Sequence, residues 1–311
     1  MSQKNNTVMT EFILLGLSSD PKTQVILFFV FLLVYIIILF GNISIIILIL
    51  TDINLHTSMY FFLFNLSFLD LCYSFSTVPR MLNDLMSIKK NISYAECATQ
   101  MYIFLSLGET ECVLLAVMAY DRYVAICYPL HYTTIMSKRV CIRLAFGTWI
   151  CGFLLSISHV TLTLNVNRCE NNEINNFFCE MPEVLSLGCE NILFIEFIVF
   201  VEGVIVLMIP VTFIVISYSQ IILCILKIKS SSGQRKAFST CGSHIMVVIM
   251  FYGSAMATYM KPRSRSIPGT DKFIAIFYVI ITPLLNPLIY TLRNNDVKSA
   301  FLKLKMRNGY C

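Results

Sequence analysis

The side chains of this sequence best able to do chemistry are ionisable groups set into apolar stretches: Asp70, Glu109, Glu111, Asp121, Arg122, His159 and Glu202. Charge at membrane depth is costly, so each is a functional candidate. Met118-Ala119-Tyr120-Asp121-Arg122-Tyr123-Val124-Ala125-Ile126-Cys127 ends a long apolar run with an acid beside a base. Such a pair at the water boundary can hold two packings of neighbouring helices apart in energy, which is what a membrane switch requires. Arg122 is expected to pair with Asp121 at rest. Asp70 and Glu111 have no evident basic partner, so either one holds a proton or a cation sits between them. A buried, hydrogen-bonded carboxylic acid accounts for them equally well. Glu109, Glu202 and His159 fall at comparable depth on three different runs. Two readings stay open there. One is a polar or cationic ligand, such as an amine, paired with Glu109 or Glu202. The other is a neutral glutamic acid hydrogen-bonded to His159. No spacing of Cys, His and acid residues resembles a metal or nucleophile motif, which argues against an enzyme.

Membrane helices must position these groups. The 311 residues are 57% hydrophobic and 13% charged, with a mean hydropathy of +0.75. An ordinary soluble domain does not have that composition. About 20 apolar residues cross a bilayer. Seven runs suffice: 24–50, 58–82, 98–127, 140–162, 192–226, 237–260 and 272–292. The expectation is an all-α membrane protein, a seven-transmembrane helix bundle forming one domain over 1–311. It would have a tail at 1–23, the bundle at 24–292 and a second tail at 293–311. No cleavable signal sequence precedes the first run. Without internal repeats, broken helices or a ring of charges, a transporter or channel is disfavoured. From Asn294 to Arg307, basic residues mix with Val297 and Phe301, the pattern of a short amphipathic eighth helix lying on anionic lipid. Asn294, Asn295 and Asp296 would start it.

Seven spans put the termini on opposite sides. Lys and Arg are nearly balanced between the two sets of loops, so charge alone leaves orientation open. Cysteines decide it better. Cys97 precedes the third run, and Cys169, Cys179 and Cys189 lie between the fourth and fifth. Four cysteines on one face point to an oxidising side and two disulfides, with three pairings possible. The other cysteines lie mostly in apolar helices, where buried free thiols are expected. Asn5-Asn6-Thr7 is a glycosylation acceptor on that same face, and Asn91-Ile92-Ser93 is a second. The N-terminus is therefore expected outside. The loop at about 163–191 carries Glu170, Glu173, Glu180, Glu183 and Glu190. Two bridges would pin it over the bundle as a lid, with its acids solvated.

The Met118–Cys127 run resembles the end of the third helix in odorant receptors, within the rhodopsin-like G-protein-coupled receptors. Further motifs carry the resemblance over nearly the whole chain. Leu55-His56-Thr57-Ser58-Met59-Tyr60-Phe61-Phe62-Leu63 is one, with Ser58 at the position of the family's usual Pro. Ser217-Tyr218, Lys236-Ala237-Phe238-Ser239-Thr240-Cys241-Gly242-Ser243-His244 and Pro283-Leu284-Leu285-Asn286-Pro287-Leu288-Ile289-Tyr290 are the others. The resemblance implies a small-molecule odorant as ligand and a stimulatory heterotrimeric G protein as partner, with cyclic AMP as output. It implies contact with membrane lipids, none with nucleic acid, and residence in the plasma membrane of olfactory cilia. It implies the disulfides Cys97–Cys179 and Cys169–Cys189. It implies no cofactor beyond a small sodium site at Asp70, Glu111 and Asn286. Its switch residues fall on Asp121, Arg122, Tyr123, Tyr218, His244, Asn286, Pro287 and Tyr290. Pro287 removes a helix hydrogen bond so that the seventh helix can bend, with Asn286 satisfying the freed groups. Tyr218 and Tyr290 are expected to meet near Arg122 when helix six moves. Loss of Pro at position 58 should loosen the turn and spare the helix. The short loop at 227–236 and the 236–244 motif argue against a hormone or peptide receptor. Lys272 lies only at the outer edge of the last run, which argues against retinal attachment.

The same resemblance puts the ligand cavity in the extracellular half of the bundle, among helices three, five and six. Such a site is concave and largely apolar, with a few polar groups. Phe104, Leu105, Gly108, Glu109 and Cys112 share one helical face. Facing runs offer His159, Glu202, Gly203, Val206, Tyr252, Ala255, Met256, Tyr259, Tyr278 and Val279. Glu111 lies about 16 Å from Arg122 along the helix, placing it between the cavity and the switch.

Overall fold

Apolar composition and local end-of-helix chemistry account for the elements. The computed structural model describes residues 11–166, 172–189, 192–228, 230–260, 271–293 and 297–301. Seven helices are long and apolar enough to span a membrane. They are α1 Pro21–Thr51, α2 Ser58–Met86, α3 Tyr94–Cys127, α4 Lys138–Leu164, α5 Leu193–Leu226, α6 Ser231–Tyr259 and α7. The last, α7, is α-helical over Asp271–Ile276 and Thr282–Arg293, with a π turn at Phe277–Ile281 between. Each coincides with one predicted apolar run.

Pro21 opens α1, where a missing N–H costs nothing. The Asp20 cap accepts from Thr23 N at 2.9 Å. A Ser93–Glu96 capping box opens α3. The π turn has a local cause: Pro283 cannot donate to a carbonyl one turn back, and the wider turn absorbs the loss. The irregularity in α7 thus begins upstream of the expected hinge at Pro287. Asn42 Nδ2 donates to the Pro283 carbonyl at 3.1 Å and ties α1 to that point.

Large apolar side chains such as Phe29, Leu33 and Phe40 of α1 and Phe197 and Phe213 of α5 are exposed. Helices apolar all round in this way belong in lipid. α3 packs against α2, α4, α5 and α6. The contact with α4 is close. A Cβ on Gly152 would lie 2.1 Å from Thr110 Oγ1 and 2.6 Å from the Ser106 carbonyl. Beside it, the hydroxyls of Ser106 and Ser156 share a hydrogen bond of 2.6 Å.

One feature departs from an all-helical reading. A small sheet of β1 Glu11–Leu14, β2 Asn91–Ser93 and β3 Glu173–Ile174, in the order β2-β1-β3, covers the N-terminal end of the bundle. Phe12 stands opposite Ile92 in the antiparallel pair and Leu14 opposite Ile174 in the parallel one. Phe12 and Leu14 alternate inward and are fully buried. Residues 297–301 are helical and bury Val297 and Ala300. The rest of the expected tail helix lies outside the described residues, as do Asn5 and Cys169.

Candidate functional site

Three polar layers are stacked along α3. Nearest the sheet is a cavity of about 70 Å³. Of the residues expected there, Phe104, Leu105, Gly108, Glu109, Cys112, His159, Val206 and Tyr259 line it, together with Gly203, Ala255 and Tyr278. Tyr73, Met181, Leu207 and Phe251 complete the wall and carry no signal in sequence that separates them from core residues. Four expected residues lie outside the lining. Tyr252 turns to α3 and donates to the Cys112 carbonyl at 2.7 Å. Met256 packs half-buried against the core, and Val279 is fully buried in it. Glu202 stays 32% exposed on α5.

Glu109 and His159 make the polar end of the cavity, and both are buried. Glu109 Oε1 lies 2.8 Å from His159 Nδ1, and His159 Nε2 lies 3.6 Å from Glu202 Oε2. The contact required by a glutamic acid bonded to histidine is therefore present. No Lys or Arg pairs with Glu109 or Glu202 among the described residues, and His159 lies near both. One oxygen stays open: Glu109 Oε2 is buried without a hydrogen-bond partner among the described residues.

The loop over the cavity is tied down by the Cys97–Cys179 disulfide, with Cα atoms 5.4 Å apart. Cys179 N also donates to Gln100 Oε1 at 2.9 Å. Glu180 corrects the expectation of solvated loop acids, because it is 1% exposed. It accepts from Tyr278 OH, from Asn176 Nδ2 at 2.7 Å and from Tyr259 OH at 3.4 Å. Burial raises its pKa to about 7, outweighing the donors that favour the carboxylate. Tyr259 and Tyr278 line the cavity, so this one carboxyl joins the lid to two of its walls.

The middle layer lies across α3 from Glu109. Glu111 and Asp70 are buried at 2% and 0% exposure. Asn286 Nδ2 donates to both Asp70 oxygens at 3.1 Å, linking α7 to α2 rather than serving its own helix. Glu111 Oε1 and Asn286 Oδ1 are buried without hydrogen-bond partners among the described residues. Carboxylate and amide oxygens are the donor set of a hard cation, and the two orphan oxygens fit one. Among the described residues no group of three or more His, Cys, Asp or Glu gathers, so only two carboxylates serve this layer.

The third layer is at the far end. Asp121 and Arg122 are both buried, but no direct salt bridge between them forms among the described residues. Tyr132 OH donates to Asp121 Oδ1 at 2.9 Å, and Ser58 Oγ donates to Tyr132 OH at 2.7 Å. Ser58 thus makes a hydrogen bond that Pro could not. Tyr218 OH and His244 Nδ1 share a hydrogen bond of 2.7 Å that ties α5 to α6. Tyr290 OH is buried without a hydrogen-bond partner among the described residues, and Tyr218 is engaged by His244 rather than by Tyr290. Tyr123 reaches Tyr128 at 3.5 Å. Cys127 of α3 and Cys224 of α5 are bridged in this structure, with Cα atoms 5.7 Å apart, so these two face each other and do not pack as separate buried thiols. A larger hollow of about 690 Å³ opens beside Ser58 and Tyr132, but neither Glu109 nor Asp70 borders it.

Comparison with known proteins adds a second line of observation. A family model described as "Olfactory receptor" matches residues 31–307. The chain is 48% identical over 304 residues to olfactory receptor 5AR1 of Mus musculus, covering 98% of each chain. It is 50% identical over 308 residues to olfactory receptor 2D2 of Homo sapiens, covering 99% of each. Over 304 residues it is 50% identical to olfactory receptor 2B2 of Homo sapiens, covering 98% of this chain and 85% of that one.

Proposed function

The chain belongs to the olfactory receptor family, and we propose that it binds its odorant in the Glu109–His159 cavity and activates a stimulatory G protein, raising cyclic AMP. The N-terminal end, with its sheet and disulfide-tied loop, is the extracellular face, and the Asp121–Arg122 end faces the cytosol. The receptor sits in the plasma membrane of olfactory cilia. The observation that carries this reading is the alignment of three polar layers on one helix, with a cavity at one end and Arg122 at the other.

The cavity limits the ligand. At about 70 Å³ it admits a compact molecule, and its wall is mostly aliphatic and aromatic. Glu109 Oε2 accepts one hydrogen bond from the ligand. With His159 already on Oε1, a neutral hydroxyl meets that need and an amine is not required. Asp70, Glu111 and Asn286 would hold a sodium ion, which would supply a countercharge to two buried carboxylates that have no Lys or Arg partner among the described residues.

The test is a cyclic-AMP reporter in cells with verified surface expression, run against compact odorants with and without a hydroxyl. Hydroxyl-bearing members should activate, and their ethers of equal size should not. Silence toward the whole panel overturns the reading.

A further inference from the structure

We infer that Cys127 and Cys224 are a thiol-oxidation site that locks the receptor at its G-protein end; the inference rests on the orientation proposed above. The two residues come from helices that pack along each other. Their Cα atoms are 5.7 Å apart, within the span a disulfide bridges without backbone movement. A second contact ties Cys127 to the same face of α5. Its sulfur lies 3.8 Å from the Gln220 carbonyl, to which a reduced thiol can donate. Gln220 and Cys224 are one turn apart and share a face of α5. Cys127 therefore has a partner on the Cys224 face of α5 besides Cys224 itself. Both side chains are partly exposed, so a small oxidant reaches them. Cys72, Cys112, Cys141, Cys151 and Cys241 are free.

Glutathione keeps thiols on the cytosolic side reduced, so the resting form is the dithiol. A peroxide supplies the oxidising equivalents. One thiolate attacks the O–O bond of hydrogen peroxide, becomes a sulfenic acid and releases the first water. The second thiol attacks the sulfenic sulfur, forms the S–S bond and releases the second water. Two thiols and one peroxide thus become one disulfide and two waters, and exchange with glutathione reverses the change.

The consequence follows from what the bond spans. Arg122 and Tyr218 lie on the same two helices, less than two turns before the cysteines. In this arrangement Arg122 is buried and Tyr218 is held by His244. A covalent link that fits this packing stabilises it over any packing that draws α5 away from α3. Oxidation therefore lowers odorant-evoked signalling without touching the ligand cavity.

The experiment treats membranes containing the full-length receptor with hydrogen peroxide. Digestion without reductant and mass spectrometry then seek the Cys127–Cys224 peptide, with odorant-evoked G-protein activation measured in parallel. The linked peptide should appear with peroxide and vanish with dithiothreitol. The maximal response should fall about fivefold, the low end of ordinary allosteric coupling, and recover on reduction. Cys224→Ser and Cys224→Ala should respond as the wild type does and ignore peroxide. Absence of the linked peptide overturns the inference, as does an equal peroxide loss in both Cys224 variants. The peptide readout needs no odorant, so failure to find a ligand leaves it decisive. Labelling of Cys224 in intact cells by a membrane-impermeant maleimide would instead overturn the cytosolic placement.

Discussion

Glu109 and Glu111 stand two residues apart on α3, about 200° apart around the helix, and meet opposite chemistry. Glu109 has a basic neighbour, His159, and borders a cavity. Glu111 has no basic neighbour among the described residues; it lies in the layer of Asp70 and Asn286 and does not line the Glu109 cavity. The first is equipped to receive something that enters from outside. The second is enclosed between α2, α3 and α7, where its state depends on how those helices pack. Side chains of one type, two residues apart, are thus given different surroundings by what the neighbouring helices bring to each face.

The severest way to break that distinction is at Gly152. A side chain there meets Thr110 and the backbone of Ser106 on α3. Gly152→Val should force α3 and α4 apart and separate Glu109 from His159, while Asp70–Asn286 on the far side is left alone. Overpacking costs about 1–3 kcal/mol, so surface expression and the melting temperature in detergent should both fall, with Gly152→Ala milder. An unchanged melting temperature would mean that this contact does not set the His159 position.

Next in size is a contrast of two neutralisations. Asp70→Asn should lower the response to every agonist by about tenfold, a typical coupling effect, and abolish any difference between sodium and choline buffers. Glu109→Gln should cost hydroxyl-bearing odorants up to about tenfold in potency, the upper range for one hydrogen bond, and spare apolar agonists. If both variants shift all agonists alike, the two glutamates are not functionally separate.

Glu180 extends the input side into the lid, and its signature is pH dependence. Its folded pKa of about 7 lies above the ordinary 4.5. A group raised in this way contributes stability that is full below about pH 4.5 and is lost as pH rises through about 7. The melting temperature of the purified receptor should therefore decline from pH 5 to pH 8, and Glu180→Gln should flatten that slope. A wild-type slope retained in the variant would assign the dependence to another group.

Much of this was legible in the residues. Apolar run length set all seven helices, because a bilayer imposes a minimum span on any sequence. The face shared by Phe104, Leu105, Gly108, Glu109 and Cys112 follows from helical period alone, and all five line the cavity. Glu180 was not legible. A loop acid reads as solvated unless one knows that Tyr259, Tyr278 and Asn176 converge on it from three separate segments. The same holds for the β1 strand, whose partners lie about 80 and 160 residues away in sequence, and for Cys224, which is one apolar-helix cysteine among several until α3 is placed beside it. Period and composition report a residue's own element, and these features depend on pairings between elements.

Ser58 is the smallest and most chain-specific case. It occupies the position of the family's usual Pro, and its hydroxyl extends the bond between Tyr132 and Asp121 into a three-member chain. Neither the Glu109 cavity nor the Asp70–Asn286 layer touches it, so changing it probes the Asp121 end alone. Tyr132→Phe removes both bonds, whereas Ser58→Pro removes one and leaves Tyr132 on Asp121. A net hydrogen bond is worth about 0.5–1.5 kcal/mol, so unliganded cyclic-AMP signalling should rise by a few-fold in Tyr132→Phe and by less in Ser58→Pro. Odorant potency order should be the same in both, because the Glu109 face is untouched. A basal signal that rises in Ser58→Pro but not in Tyr132→Phe would show that Ser58 acts through the helix turn and not through Asp121.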